Sequence, residues 1–160
     1  KIDENPSPGN KAGGITTLED KSLGCIQKSG SAPVEVVLSY GEPVRARGLS
    51  LLEAPGNDLV ASCALAASGA QLVLFTTGRG TPFASPVPTL KISSNSDLAA
   101  RKNCWIDFDA GRMLSEGTER SFLSRELFDL VLSVASGKEK AKSESLEKSE
   151  FAIFKNGITL

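Results

Sequence analysis

The chain is organised around the stretch Gln71-Leu-Val-Leu-Phe-Thr-Thr-Gly-Arg-Gly-Thr-Pro82 and the run Thr89-Leu-Lys-Ile-Ser-Ser-Asn-Ser96 that follows it. Each begins with a short apolar segment and ends in hydroxyl, amide or cationic side chains. Apolar segments of this length are typical of strands buried in a parallel sheet. We therefore predict two buried strands, Gln71–Phe75 and Leu90–Ser93, that deliver polar side chains to one edge of a sheet in an α/β domain.

Composition limits what this chain binds. Its 160 residues suit one domain, and 40% hydrophobic with 23% charged residues is ordinary for a soluble globular protein. The 18 lysines and arginines against 19 acidic residues give a net charge of -1, which offers no basic surface to nucleic acid or to an anionic membrane. No apolar run approaches the roughly 20 residues that span a bilayer, and no signal-peptide pattern is present. We expect a cytoplasmic protein without nucleic-acid or membrane partners.

Histidine is absent, and the three cysteines are Cys25, Cys63 and Cys104. Without histidine, Ser-His and Cys-His nucleophile pairs and imidazole acid-base chemistry are excluded. The cysteines form no Cys-x-x-Cys pair, and their odd number favours reduced, buried thiols over a disulfide framework. Chemistry in this chain would therefore rest on lysine, carboxylates, tyrosine or a metal ion.

The remaining pattern alternates helices with strands. Helices are predicted over Ile15–Lys28, Leu59–Ser68 and Ser121–Ala135 and from Asn95 or Ser96 to Arg101, with further strands over Val34–Tyr40, Gly48–Ala54, Cys104–Phe108 and Phe151–Phe154. About eight residues separate Val34–Tyr40 from Gly48–Ala54, fewer than a parallel crossover needs, so these two strands are not simple parallel neighbours unless one lies outside the sheet. The residues up to Gly14 are predicted to form a loop, and the charged tract Lys138–Glu150 a solvated surface segment.

The turn after the first central strand is a candidate anion site. Thr76 and Thr77 supply hydroxyl groups, Gly78 and Gly80 supply unhindered amides, and the Arg79 guanidinium can hold a carboxylate or phosphate through two parallel bonds. A glycine-rich turn whose arginine pairs on the surface explains the same residues equally well. The spacing matches neither the Walker nucleotide loop nor the dinucleotide fingerprint.

Lys91 and Asn95 are the candidates in the second run. A lysine inside an apolar strand is costly unless it is paired or desolvated for use as a general base. The ordinary alternative is an edge-strand lysine that points outward. Asn95 could contact a ligand, or it could simply cap the helix that follows.

Two further groups of polar residues could form sites. Asp107 and Asp109 fall on one face of the third strand by alternation, where two carboxylates could bind a divalent cation or could cap the next turn. Asn10 and Lys21 belong to a polar cluster near the N-terminus that a loop followed by a solvated helix face also explains.

Four ordered blocks of sequence resemble the altronate dehydratase/galactarate dehydratase family, which includes the large subunit of sulfolactate sulfo-lyase. The blocks are Asn5–Gly24, Phe75–Pro82, Pro88–Asn95 and Ile106–Gly111, and the resemblance covers essentially the whole chain. In that family such a region is the C-terminal part of a considerably longer enzyme. A chain that begins at Lys1 and has Met113 as its only methionine agrees with a fragment of such an enzyme.

The resemblance implies a fold and an activity, and from the chemistry of that activity we infer roles for the candidate residues. The fold would be a three-layer αβα Rossmann-like domain with a mostly parallel sheet. The activity would be that of a lyase that removes water from a sugar acid, such as altronate or galactarate, to give a 2-keto-3-deoxy acid with a divalent metal, usually iron. Arg79, Thr76, Thr77 and Gly78 would hold the substrate carboxylate, Lys91 would act as base or electrostatic stabiliser, Asp107 would orient a partner or bind metal, and Asn95, Asn10 and Lys21 would be further substrate-binding residues.

The same resemblance implies partners. These are the sugar-acid substrate, the remaining domains of the parent enzyme and, through an exposed docking face, a second copy of the chain in a homodimer. A function of another class is also open, in which the chain is a non-catalytic binding or assembly module that docks against the rest of its parent.

Overall fold

The structure is a computed structural model that describes residues 5–115 and 117–153. It divides into two compact units. The first comprises the residues up to Val36 together with Ala46–Ser50, and the second comprises Val37–Arg45 and the residues from Leu51 onward. Within the described residues, no helix is long and apolar enough to cross a membrane.

The first unit contains helices α1 (Pro8–Ala12) and α2 (Leu18–Lys28). The prediction of a loop up to Gly14 is wrong in part, because Ser7 accepts a hydrogen bond from the Asn10 amide (3.3 Å) and Pro8 occupies the first helical turn. The α2 prediction is confirmed. Thr17 caps α2 by accepting from the Asp20 amide (3.1 Å), and two acidic residues lie in its first turn.

Strands β1 (Val34–Leu38) and β2 (Leu49–Leu52) pair with each other in a two-stranded sheet. This sheet is distinct from the three-stranded sheet that contains the central segments. At the carboxyl ends of the two strands the Glu53 amide donates to the Leu38 carbonyl (2.9 Å), and at their amino ends Gly48 lies against the Glu35 side chain, so the strands run parallel. The link, residues 39–48, contains no helix, so the expectation that it is too short to join parallel neighbours is wrong for this separate sheet.

The three-stranded sheet is formed by β3 (Val73–Thr77), β4 (Thr89–Ser93) and β5 (Phe108–Asp109), in that order. Both pairings are parallel, with Phe75 beside Lys91 and Ile92 beside Phe108. Every residue of the middle strand β4 is buried. A mixed α/β fold with a parallel sheet is thus confirmed.

The second unit also contains helices α3 (Asp58–Ala67), α4 (Ser96–Arg101), α5 (Arg120–Ala135) and α6 (Lys142–Ser145), with a 3-10 turn over Ala110–Leu114. The predicted amphipathic helix α5 covers one face of the sheet, where Leu123 packs with Ile92 and Phe108, and Val134 packs with Leu90. Residues of the segment that links β3 to β4 cover the other face, since the Phe83 ring meets Phe75 edge-on at 5.5 Å. This arrangement agrees with a three-layer α/β domain, and Rossmann-like connectivity stays a prediction.

The predicted strand Cys104–Phe108 is wrong in extent, because only Phe108 and Asp109 pair with β4. The carbonyl of Lys102, at the end of α4, accepts hydrogen bonds from the amides of Trp105 (2.9 Å) and Ile106 (3.2 Å). These bonds keep the chain in a turn until residue 106 and leave room for only a short strand.

The predicted solvated segment Lys138–Glu150 is wrong in its centre. Ala141 and Ser143 are fully buried, and the Ser143 hydroxyl donates to the Thr89 carbonyl of β4 (2.9 Å). The residues that follow, 151–153, form no strand, and Phe154 lies outside the described residues. The tract is therefore a packing element with charged flanks.

The cysteines are all free, as predicted, but only Cys63 is buried. Cys25 and Cys104 are exposed, which contradicts the expectation that all three are small core residues.

Candidate functional site

The carboxyl ends of β3, β4 and β5 meet at one edge of the sheet. Parallel pairing places Thr77 beside Ser93 and Ser93 beside Asp109. In open parallel sheets, ligands bind in the crevice outside this edge. Side chains of the second unit that bind a ligand are therefore expected at this edge.

The turn from Thr77 to Gly80 is held by its own hydroxyl. Thr77 Oγ1 accepts a hydrogen bond from the Gly80 amide (2.9 Å). Gly80 has a φ of +78°, and a Cβ atom there would lie 2.9 Å from Leu98 Cδ1 and 3.1 Å from Lys102 Cδ. Only glycine satisfies both the left-handed backbone and the close approach to α4. Thr76 and Thr77 lie in β3 itself, since the strand extends two residues further than predicted.

Arg79 projects from this turn and is exposed. Its carbonyl accepts from Lys102 Nζ (3.2 Å), which fixes its backbone. Within residues 5–115 and 117–153, its guanidinium has no hydrogen-bond or ion-pair partner, and neither does the exposed Thr76 hydroxyl. A guanidinium with a fixed backbone and a free fork of donors can bind a carboxylate through two parallel bonds.

Asn95 connects the turn to α4. Its Oδ1 caps the helix by accepting from the Leu98 amide (2.9 Å), and its Nδ2 donates to the Gly78 carbonyl (3.1 Å). Asn95 therefore does cap the helix, as the alternative to ligand contact predicted. The second bond adds a positioning role, because one side chain holds both the glycine turn and the helix. Direct contact with substrate stays a prediction for Asn95 and for Gly78.

Lys91 points to the side of the sheet that the β3–β4 link covers, and only 1% of its surface is exposed. Its Nζ donates to the Thr81 carbonyl (2.9 Å), two residues after Arg79. Burial lowers the pKa of the ammonium below its ordinary value of 10.5, and a nearby lysine, Lys148, adds to this. The charges of Asp107 and Glu150 oppose the shift. The outward-pointing alternative is therefore excluded.

Asp107 lies between β4 and α6. Its two oxygens accept hydrogen bonds from the amides of Lys91 (2.7 Å) and Lys142 (2.8 Å), and its own amide donates to the Lys91 carbonyl (2.9 Å). Asp109, which was paired with it as a possible cation ligand, instead caps the 3-10 turn by accepting from the Gly111 amide (2.9 Å). Both carboxylates therefore have structural partners.

These contacts test whether the chain provides a metal site. No cluster of three or more histidine, cysteine, aspartate or glutamate side chains that could hold a metal occurs in the described part of the chain. The Asp107 oxygens already serve two amides. The described residues do not fit a self-contained metal centre, and metal binding by Asp107 stays a prediction.

Asn10 and Lys21 belong to the first unit. Lys21 Nζ donates to Asn5 Oδ1 (2.7 Å), while the Asn10 carbonyl accepts from the amides of Gly13 (3.1 Å) and Ile15 (2.9 Å). These bonds order the loop and the helices around them. Their predicted contact with substrate stays a prediction.

Sequence reasoning missed Lys142 and Gly111. Lys142 Nζ donates to the carbonyls of Asn103 (2.6 Å) and Ile106 (2.5 Å), so it holds the turn before β5. A Cβ atom at Gly111 would overlap the Ser96 amide nitrogen and lie 2.6 Å from Asn95 Cα, so the 3-10 turn can approach α4 only without a side chain. The small residues Ala141 and Ser143 within a charged tract were the available signal for burial near Lys142.

Arg112 is, after Lys142, another basic residue that the sequence analysis did not identify. Its Nε donates to the Asp109 carbonyl (3.2 Å), it pairs with Glu126 (2.8 Å), and its guanidinium lies 5.3 Å from the centre of the Phe108 ring. With Thr118 and other residues up to Leu123 it lines a depression of about 360 Å³. Its guanidinium is engaged within the chain, in contrast to that of Arg79.

Residues 1–159 match the family model described as D-galactarate/Altronate dehydratase, C-terminal. Altronate dehydratase from Escherichia coli (strain K12) is 57% identical over 159 residues, which are 99% of this chain and 32% of that protein. Altronate dehydratase from Bacillus subtilis (strain 168) is 56% identical over 157 residues, 98% of this chain and 31% of that protein. Galactarate dehydratase (L-threo-forming) from Escherichia coli (strain K12) is 40% identical over 141 residues, 88% of this chain and 27% of that protein. The chain thus spans about a third of the length of these relatives.

Proposed function

The chain belongs to the D-galactarate/altronate dehydratase C-terminal family, and on this premise we propose that it is the C-terminal domain of a sugar-acid dehydratase. The substrate would be an aldonate or aldarate such as altronate or galactarate, and the product a 2-keto-3-deoxy acid. Two relatives that are at least 56% identical are altronate dehydratases, which supports this class of substrate.

One observation carries the proposal from family to site. Arg79 is an exposed arginine at the carboxyl edge of a parallel sheet, and its guanidinium has no partner in the described residues. The hydroxyl of Thr76, three residues earlier, also has no partner within residues 5–115 and 117–153. The other polar candidates of this unit, Asn95, Lys91 and Asp107, all have intramolecular partners. We assign Arg79 and Thr76 to the substrate carboxylate.

The chemistry of dehydration gives this contact a role beyond binding. When a base takes the proton from the carbon next to the carboxylate, negative charge develops on the carboxylate oxygens. The hydroxyl on the next carbon then takes up a proton and leaves as water, and the resulting enol becomes the keto acid. A preorganised cation beside those oxygens stabilises the developing charge more than it stabilises the substrate. Arg79 would therefore accelerate the reaction as well as orient the substrate.

Lys91 supports this site in its described contacts by holding the Thr81 carbonyl, and with it the loop that carries Arg79. Its use as the base stays a prediction. That role would require the substrate to reach a side chain that is 1% exposed. The lowered pKa of the ammonium favours the neutral amine, whose lone pair can accept a proton while an N–H still donates to the Thr81 carbonyl. The requirement for iron also stays a prediction, and no step is derived through a metal.

The test compares three variants in the full-length protein, assayed for 2-keto-3-deoxy product with altronate and with galactarate. Arg79→Ala removes a charged bidentate contact of about 1.5–3 kcal/mol, so kcat/KM is expected to fall by about 10- to 150-fold. Arg79→Lys is expected to recover only part of this loss, because an ammonium lacks the planar fork. Arg125→Ala on the exposed surface of α5 is the matched control and is expected to retain activity.

Unchanged kcat/KM in Arg79→Ala would overturn the site assignment. The alternative of a non-catalytic assembly module makes a different prediction for calorimetry on this chain. A module that only docks would show no sugar-acid binding at millimolar ligand, whereas the proposed site would bind and would lose binding in Arg79→Ala.

A further inference from the structure

Among the residues that the structure describes, strand β3 forms one edge of the three-stranded sheet and pairs with β4 only. The Val73 amide donates to the Pro88 carbonyl (2.9 Å) at one end of β3, and the Thr77 carbonyl accepts from the Ser94 amide (3.0 Å) at the other. Alternate residues of a strand direct their backbone hydrogen bonds to the same neighbouring strand. Because Val73 and Thr77 bond towards β4, Leu74 and Thr76 direct their amides and carbonyls away from it. These outward groups have no hydrogen-bond partner in residues 5–115 and 117–153.

The opposite side of β4 is closed, in contrast. Strand β5 pairs with β4 at Ile92 and Ser93 only. Along the earlier residues of β4, side chains of α6 and of Asp107 bind the backbone groups instead. Ser143 donates to the Thr89 carbonyl (2.9 Å), and Asp107 accepts from the Lys91 amide (2.7 Å). The sheet therefore ends on one side in side-chain caps and on the other in a bare strand.

β3 also lacks the features that protect exposed edges. Its sequence, Val73-Leu-Phe-Thr-Thr77, contains no charge and no proline, and its pairing to β4 is regular over all five residues. Natural edge strands are commonly very short, charged, interrupted by a bulge or covered. An unprotected edge of this length is a template for another strand.

The cover provided by α5 stops short of β3. Leu74 lies beside Leu90 in the register, but Leu90 is 1% exposed under α5 while Leu74 is 48% exposed. Parallel sheets are normally covered on both faces by the helices of neighbouring strands. A further strand beyond β3, with its own connecting helix, would complete this cover.

We propose that a strand from the preceding part of the parent polypeptide pairs with the outer edge of β3, parallel to it, and continues the sheet. This inference rests on the proposed function, in which the chain is the C-terminal domain of a longer enzyme. The relatives are long enough to contain such a strand, because about two thirds of each lies outside the match. The carboxyl end of the added strand lies next to Thr76 and Arg79, so it forms the missing wall of the substrate site.

Amide hydrogen exchange, read residue by residue, tests the pairing without reference to activity. In the 160-residue chain alone, the Leu74 and Thr76 amides are expected to exchange within about tenfold of an unstructured amide, with Phe75 and Thr77 at least about 100-fold slower. In the full-length protein, Leu74 and Thr76 are expected to slow by about 100-fold as well. Fast exchange of both amides in the full-length protein would overturn the proposal.

A pair of variants separates backbone pairing from side-chain packing. Leu74→Pro removes one outward amide, whereas Leu74→Ala keeps it and shortens the same side chain. In the full-length protein, Leu74→Pro is expected to lower the protection of the Thr76 amide at least about tenfold more than Leu74→Ala does. Equal effects would contradict strand pairing. Protection that appears in the isolated chain and rises with its concentration would assign the edge to a second copy and also overturn the proposal.

Hydrogen exchange and the activity assay distinguish failure of the strand pairing from failure of the proposed function. A full-length protein without dehydratase activity that nevertheless protects Leu74 and Thr76 would refute the enzyme and retain the strand pairing. An active enzyme with both amides unprotected would do the reverse.

Discussion

The substitution Asp107→Asn measures how much of the sheet depends on one carboxylate. Its two oxygens accept backbone amides from β4 (2.7 Å, Lys91) and from α6 (2.8 Å, Lys142). Asparagine keeps one acceptor and directs an amide nitrogen at the other N–H, so one bond is lost and two donors face each other. A bond to a charged group contributes about 1.5–3 kcal/mol, and an unsatisfied donor adds to the loss. We expect a fall of about 2–4 kcal/mol in the free energy of unfolding.

The assay is urea denaturation in metal-free buffer, followed by tryptophan fluorescence. Trp105 is the only tryptophan and lies two residues from Asp107, so the signal reports the unit that contains the sheet. Asp129→Asn is the matched control, because within the described part of the chain this carboxylate pairs only with Arg125, on the exposed face of α5. An exposed pair of this kind contributes about 0.3–0.5 kcal/mol.

The same experiment separates a brace from a metal ligand. If Asp107 served mainly as a ligand, its replacement would leave the metal-free protein about as stable as the Asp129 control and would weaken only metal-dependent activity. A loss below about 1 kcal/mol for Asp107→Asn would therefore refute the brace. The slope m of the free energy of unfolding against urea concentration must be the same in both variants, because only then does the comparison report stability alone.

Two further predictions concern backbone fit and titration. Gly111→Ala is expected to lower the free energy of unfolding by about 3 kcal/mol, because its Cβ overlaps the start of α4. Gly56→Ala, with no atom within 4 Å of the new Cβ, should change stability little. Equal urea midpoints for the two variants would contradict the close approach at Gly111. For Lys91, the lowered pKa of the folded state means that the unfolded chain binds more protons between that pKa and 10.5, so stability rises with pH across this window. Lys91→Met lacks this slope, and urea unfolding from about pH 8 to about pH 10 should favour the wild type progressively. If the difference in free energy of unfolding between wild type and Lys91→Met stays constant or changes in the opposite direction as pH rises, burial does not lower the pKa of Lys91.

Local chemistry made much of the second unit predictable. The continuous apolar runs of β3 and β4 and the 3.6-residue period of α5 identified these elements, because burial of one face or both is visible in the order of residues. Asn95 is one of the two residues predicted to begin α4 and it caps that helix, which a local pattern can indicate because a cap acts within three residues of its own position. The boundary of β3 was placed two residues early, because the β-branched Thr76 and Thr77 continue the strand.

The rest of the structure depends on contacts between residues that lie far apart in the sequence. Asp107 is bonded to residues 16 and 35 positions away, so no local pattern distinguishes this brace from a metal ligand. The burial of α6 likewise depends on β4, through Ser143 and Thr89, 54 residues apart. A charged tract with two small residues carries almost none of this information in its own composition.

The candidate site can be narrowed by asking which of its residues the fold already employs. Gly80 fills a left-handed position against Leu98, Asn95 ties the turn to α4, and Lys91 holds the Thr81 carbonyl. Each of these residues lies in a block that resembles the family, but each has a structural reason to be there. Arg79 has none in the described residues beyond its carbonyl bond to Lys102, although its exposed side chain carries a full charge at the carboxyl edge of the sheet. The fold accounts for the position of the turn but not for the guanidinium on it, and a carboxylate, which we propose to be that of a sugar acid, matches the geometry of that guanidinium.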